Sequence, residues 1–125
     1  MRHPPFFKRT FMIRKKEDME LLHVENSGNV KGELTKQFLL YSDETYGKTS
    51  MCAVIELPHG SMIADHDHTS DSEMYYLLDG EAVVTDNDDT HFLHAGDVVF
   101  TGNGNRHSIR NESGKTIRFL AVILK

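Results

Sequence analysis

The sequence predicts an all-β domain, a sandwich or a barrel, and three observations predict it. From residue 36 onward the apolar residues fall in short runs rich in β-branched and aromatic side chains, without helical periodicity of useful length. Turn-forming clusters separate these runs: Pro58-His59-Gly60, Asp79-Gly80, Asn87-Asp88-Asp89, Ala95-Gly96, Gly102-Asn103-Gly104-Asn105 and Glu112-Ser113-Gly114. The strands so delimited, about nine in roughly ninety residues, are joined by short connections that suit antiparallel pairing.

The elements follow in chain order. Residues 14 to 22 read as one short helical turn. Residues 23 to 34 read as loop, because Asn26-Ser27-Gly28-Asn29 and Gly32 are turn formers. Gln37 to Tyr41 is the first strand and Ser50 to Leu57 the second, apolar on both faces. Pro58-His59-Gly60 fits a type I turn, with proline second and glycine fourth. Ser61 to His68 is extended. Glu73 to Leu78 is a strand, and Asp79-Gly80 signals a two-residue hairpin returning as Glu81 to Asp86. Such a hairpin sets Leu77 opposite Ala82 and Tyr75 opposite Val84, so that Glu73, Tyr75, Leu77, Ala82 and Val84 share one face. The other face, with Met74, Tyr76, Leu78, Glu81, Val83 and Thr85, is too apolar for open surface. It predicts cover by a partner chain or by the N-terminal segment, and hence a homodimer. Thr90 to His94, Asp97 to Thr101, His107 to Asn111 and Thr116 to Leu124 complete the set.

A chain of 125 residues is expected to form one domain, long enough for a real core. The division is an N-terminal arm and loop over 1–35 and a barrel over 36–125. The net charge of -5 leaves no basic footprint for nucleic acid. One cysteine, Cys52, cannot form an intramolecular disulfide, which predicts a reducing, cytoplasmic setting. In its apolar strand it reads as a buried, inert thiol. The longest apolar runs, such as Phe119 to Leu124, are too short to span a membrane. Met1 to Arg14 combines five basic or histidine side chains with Pro4-Pro5 and Phe6-Phe7 and lacks a signal-peptide pattern. Two readings stand: an arm that docks by its aromatic rings, or an extension upstream of a natural start at Met12.

The chemistry lies in two clusters. The first is Gly60-x5-His66-x-His68-x4-Glu73-x6-Gly80; the second is Gly96-x5-Gly102-x-Gly104-x2-His107-x3-Asn111. Two histidines two apart on an extended chain point to one face. Glu73 adds an anionic oxygen from the next strand, and His107 reaches across the barrel. His66, His68, Glu73 and His107 thus form a four-ligand set for one divalent transition metal: Fe, Mn, Zn, Ni or Co. On a six-coordinate ion, four protein ligands leave about two positions for water, substrate or dioxygen. A His-x-His pair alone is a weak signal, common on surfaces, and a hydrogen-bonded polar core is the competing account of all four residues.

These two clusters resemble the paired motifs of the cupin family. The first matches at every defined position: Gly60, His66, His68, Glu73 and Gly80. In the second, Gly96, Gly104, His107 and Asn111 match, while Gly102 stands where the family usually has proline, a change that loosens the loop before His107. The resemblance covers roughly residues 36 to 124. It implies a double-stranded β-helix, or jelly-roll barrel, and a dimer. It does not choose a reaction, because cupins include dioxygenases, decarboxylases, isomerases, lyases and non-catalytic binders. The expectation is a metal-dependent enzyme acting on a small polar organic molecule, of dioxygenase or oxidoreductase type, with Tyr75 as proton donor beside the ion. The alternatives are a non-catalytic, metal-anchored binder of a sugar or effector, and an oxygen-independent isomerase or lyase.

The remaining polar residues have plainer readings. Asp65, Asp67 and Asp71 are either acceptors that orient ligand histidines or a solvated acidic loop, and the second is preferred. Asn111 holds a loop or strand end. His59 sits exposed in its turn, His91 is unassigned, and His94 is structural. Arg110 and Arg118 are candidate anchors for an anionic ligand, though Arg110 should point away from the metal. Asp86-Asn87-Asp88-Asp89 is a hairpin turn rather than a calcium loop.

Overall fold

Alternating burial and backbone pairing build two antiparallel sheets in the computed structural model, which describes residues 12 to 125. The strands are β1 (Leu21–Glu25), β2 (Val30–Lys31), β3 (Glu33–Leu40), β4 (Thr49–Leu57), β5 (Met62–Asp67), β6 (Ser72–Asp79), β7 (Glu81–Asp86), β8 (Asp89–His94), β9 (Val98–Thr101), β10 (Arg106–Arg110) and β11 (Ile117–Leu124). A six-stranded sheet runs β1-β3-β4-β11-β6-β9, and a five-stranded sheet runs β2-β5-β10-β7-β8. This is the jelly-roll arrangement expected from the motifs. Among the described residues no helix is long and apolar enough to cross a membrane.

The core lies between the sheets. Ile55 and Leu57 (β4), Tyr75 and Leu77 (β6) and Ile117, Phe119 and Ala121 (β11) enter it from one sheet. Ile63 (β5), Ala82 and Val84 (β7), Leu93 (β8) and Ile109 (β10) enter it from the other. Burying one such aliphatic or aromatic side chain contributes about 1.5–3 kcal/mol. Two-residue alternation decides which side chains join this inter-sheet cluster: Ala82 and Val84 do, at 2% and 1% exposure, while Val83 between them, though buried at 6%, lies outside it.

Three expectations change. The helical turn over 14 to 22 contracts to a 3-10 turn at Lys16–Asp18. The stretch 23 to 34, read as loop, holds most of β1, all of β2 and the start of β3. β1 pairs with β3, Leu21 opposite Gln37, and β2 pairs with β5, Val30 opposite Ile63. Alternation in β1 is masked by His23 and Glu25, which bond one another at 3.1 Å on the exposed face while Val24 packs against the core. The described residues before 36 therefore pair into both sheets. Residues 1–11, most of the segment read as an aromatic arm or an upstream extension, lie outside the described residues.

The third change is at Asp79-Gly80. β6 and β7 do not pair; β6 lies between β11 and β9, and β7 between β10 and β8. The chain crosses from one sheet to the other here. Gly80 has φ +94°, and a Cβ on it would lie 2.6 Å from Ile117 Cγ2, so the crossing needs both the left-handed conformation and the missing side chain. The face grouping still holds: Glu73, Tyr75, Leu77, Ala82 and Val84 are all buried, facing each other across the barrel. The turn at Asn87 is the hairpin expected, β7 pairing with β8 from Glu81–His94 to Asp86–Asp89.

Candidate metal centre

β5 and β10 bring three imidazoles to one point, and β6 supplies the carboxylate opposite. His66 and His107 are register partners across β5 and β10. His68 follows β5 directly, its N–H bonded to the Asn105 carbonyl at 3.0 Å. Glu73 stands on the facing sheet. Its Oε1 lies 3.4 Å from His66 Nε2, 3.1 Å from His68 Nε2 and 3.0 Å from His107 Nε2. His107 Nε2 is 3.0 Å from His66 Nε2 and 3.2 Å from His68 Nε2. One ligand atom from each of the four residues thus lies within 4.8 Å of the others, close enough to share an ion.

The far nitrogens decide what faces the centre. His66 Nδ1 donates to the Ala64 carbonyl at 2.8 Å, and His68 Nδ1 to Asp71 Oδ1 at 2.7 Å. Carbonyls and carboxylates only accept, so these Nδ1 atoms carry protons; in the neutral rings both Nε2 atoms turn lone pairs inward, and a second proton on His66 is what lets its Nε2 donate to Glu73 when no ion is bound. His107 Nδ1 meets Thr101 Oγ1 at 2.9 Å. Converging lone pairs and an anionic oxygen repel one another unless a cation or extra protons lie among them. The donor set therefore fits a divalent transition metal. Without cysteine it is unlike a closed structural zinc site.

The electrostatics agree. Burial pushes the Glu73 carboxyl up, but hydrogen bonds from His107 and His66 outweigh it and hold it at about 2. Burial pulls His66 down, yet its bonds to Glu73 and the Ala64 carbonyl leave it raised above 6.5. Glu73 is thus anionic across the physiological range. The His107 side chain is fully buried and those of His68 and Glu73 nearly so, whereas His66 is 18% exposed and marks the open side.

Tyr75 is 1% exposed and stacks on His107. Burial first, then the Glu73 charge, raise its hydroxyl well above 10, so it stays protonated. Asp71 turns out to be an orienting acceptor, against the preferred reading of a solvated loop. Asp65 instead pairs with Arg106 at 2.9 Å, and Asp67 is exposed. Asn111, 1% exposed, donates to the carbonyls of Leu57 and Lys115, pinning the turn before β11 to the end of β4. His59 accepts from Gly114 N–H, and His94 pairs with Glu81 on the surface. His91 is exposed. Arg110 pairs with Glu112 and Arg118 with Glu56, each among exposed or half-buried groups. Cys52 is buried on the side of β4 away from Ile55 and Leu57, and burial raises its thiol. Thr101 escaped the sequence reading. Its link to His107 arises only because β9 pairs with β6, Thr101 opposite Glu73.

Fold and centre together define a small double-stranded β-helix with a three-histidine, one-glutamate site. The family described as Cupin domain matches residues 53 to 123, and the chain belongs to the cupin family. A protein of Thermotoga maritima called Oxalate-binding protein is 36% identical over 115 residues, 92% of this chain and 95% of its own length. A crystal structure of a predicted oxalate decarboxylase from the same organism matches with TM-score 0.85 at 35% identity, covering 90% of this chain and 98% of that one. KdgF from Halomonas sp. has TM-score 0.73 at 12% identity, covering 93% of this chain and 96% of its own, a likeness of fold alone.

Proposed function

We propose that this cupin holds one divalent transition metal on His66, His68, Glu73 and His107 and binds a small chelating dicarboxylate of the oxalate type there. The observation that supports it is the convergence of four donor atoms within 4.8 Å. The 36% identity to a protein called oxalate-binding directs the choice of ligand. A divalent ion with one carboxylate ligand leaves the centre net positive, which favours an anion. Bound there, the metal supplies Lewis acidity and the coordination positions the protein leaves open. The protein's part is to fix the three imidazoles by their far nitrogens, to keep Glu73 ionised and to bury three of the four ligands.

The second reading is turnover, including the oxidoreductase, dioxygenase-type chemistry that imidazole and carboxylate donors also suit. In it Tyr75 is the proton donor, supported by a hydroxyl that stays protonated beside Glu73. Two further points belong to the same proposal. The lone cysteine supports a cytoplasmic setting. Exposed Tyr76, Val98 and Phe100 on the outer face of the six-stranded sheet support a homodimer, to be checked by light scattering.

The test is thermal stability of manganese- or iron-loaded protein with and without oxalate, followed by product analysis. A shift with oxalate that disappears in Glu73→Gln is expected, with oxalate recovered unchanged. Formate with CO2, or oxygen consumption, moves the assignment to turnover. No shift and no product overturns the choice of ligand.

A further inference from the structure

We infer that Asp71 positions His68 for the metal and that Gly102 makes the room in which Asp71 does so. The inference rests on the metal-binding reading above.

The three imidazoles are held differently. His66 donates to a backbone carbonyl and His107 meets a hydroxyl, but His68 donates to a carboxylate, Asp71, at 2.7 Å. A charged acceptor behind a ligand imidazole fixes its tautomer and ring orientation and makes the facing nitrogen a stronger donor. Asp71 lies between β5 and β6, outside either strand, so no sheet pairing places it. The chain between β9 and β10 holds the backbone of His68 and packs against the segment that carries Asp71. Its Gly104 N–H bonds the His68 carbonyl at 2.7 Å, and its Asn105 carbonyl accepts from His68 N–H at 3.0 Å.

Gly102 completes the clamp by what it lacks. A Cβ on it would lie 2.7 Å from Ser72 Cβ, closer than such atoms come, and 3.7 Å from the Asp71 carbonyl oxygen. Ser72 Cβ is fixed to its backbone, so relief requires moving the chain that carries Asp71. The backbone of Gly102 is not left-handed, so this position demands an absent side chain rather than glycine's conformational range. That accounts for the departure from the family's usual proline: a ring there would displace Ser72, and Asp71 with it. The glycine is a spacing residue, not a loosened joint.

The test is Co(II) affinity, measured by competition with a chromophoric chelator, together with the Co(II) absorption spectrum and the metal-free melting temperature. Asp71→Ala is expected to weaken Co(II) by about 10–100-fold and alter the spectrum, with metal-free melting unchanged. Asp71→Asn, whose amide oxygen still accepts from Nδ1, should fall between it and the wild type. Gly102→Ala should weaken binding too, and the double variant should be no worse than Asp71→Ala, because both act through one contact. Should Asp71→Ala lower metal-free melting, the isosteric Asp71→Asn carries the comparison. Wild-type affinity in both Asp71 variants overturns the inference alone. So do additive effects of Gly102→Ala and Asp71→Ala, which would mean the glycine acts through Glu73 instead. A wild-type protein that takes up no Co(II) overturns the metal reading and this inference with it.

Discussion

The ring of Tyr75 lies flat on that of His107, with centroids 4.6 Å apart and planes 7° from parallel. Phe119 meets the Tyr75 ring edge-on at 5.0 Å, so the His107 imidazole rests on an aromatic pair rooted in the core. Packing on one side and Thr101 behind Nδ1 leave His107 little freedom to turn. Tyr75→Phe keeps the stack and removes the hydroxyl. Metal uptake and oxalate binding should be unchanged, and stability should change by about 1 kcal/mol. If the loaded protein converts a ligand, turnover should fall by tenfold or more; equal turnover in the variant would remove Tyr75 as proton donor.

Glu73 is the only anionic member of the proposed ligand set, and the glutamine side chain has nearly its shape. Glu73→Gln should therefore fold but retain little metal after dialysis, whereas Arg118→Gln, distant from the centre, should retain the wild-type content. Elemental analysis checks both. Full metal content in Glu73→Gln would show that the Glu73 charge is not needed to hold the ion.

The titration of the centre gives the metal-free protein a stability window. Glu73 is depressed from 4.5 to about 2, so its contribution is present above pH 4.5 and is lost as pH falls towards 2. His66 is raised above 6.5, so its contribution is present below 6.5 and is lost as pH rises through the raised value. Melting of chelator-treated protein should be highest between about 4.5 and 6.5 if these groups dominate. Metal uptake should run the other way, strengthening with rising pH because the ion displaces the His66 proton. A flat melting profile across acid pH would contradict the Glu73–His66 pairing.

Asn111 satisfies two carbonyls, one at the end of β4 and one in the turn before β11, and accepts from the Ser113 N–H and hydroxyl. Asn111→Ala strands these groups in a buried site and should destabilise by roughly 2–3 kcal/mol. Circular-dichroism melting would record this as a drop of several degrees, with metal affinity retained in the protein that remains folded. An unchanged melting curve would mean that water replaces the amide without loss.

The clustering of His66, His68, Glu73 and His107 was legible because motif spacing on extended chain leaves few alternatives: His66 and His68 alternate onto one side, and the motif glycines mark the turns. The core rows of β6 and β7 were legible for the same reason, since period-two alternation survives even where strand partners are misassigned. The hairpin at Asp79-Gly80 failed because a two-residue turn signal reports local backbone shape. It does not say whether the next strand pairs with its predecessor or joins the opposite sheet. β1 and β2 were hidden by brevity and by polar residues on an exposed face. Thr101 and Asp71 were harder still. What they touch depends on pairing and loop packing among residues far apart in sequence.

The division of the four side chains between the two sheets has a bearing on assembly. Three donors belong to one layer and the fourth to the other, with 41 positions separating the first from the last. No single hairpin and neither sheet alone carries all four side chains. An ion held by all four side chains would need both layers in place, so metal uptake by a refolding chain would report the moment the two layers meet.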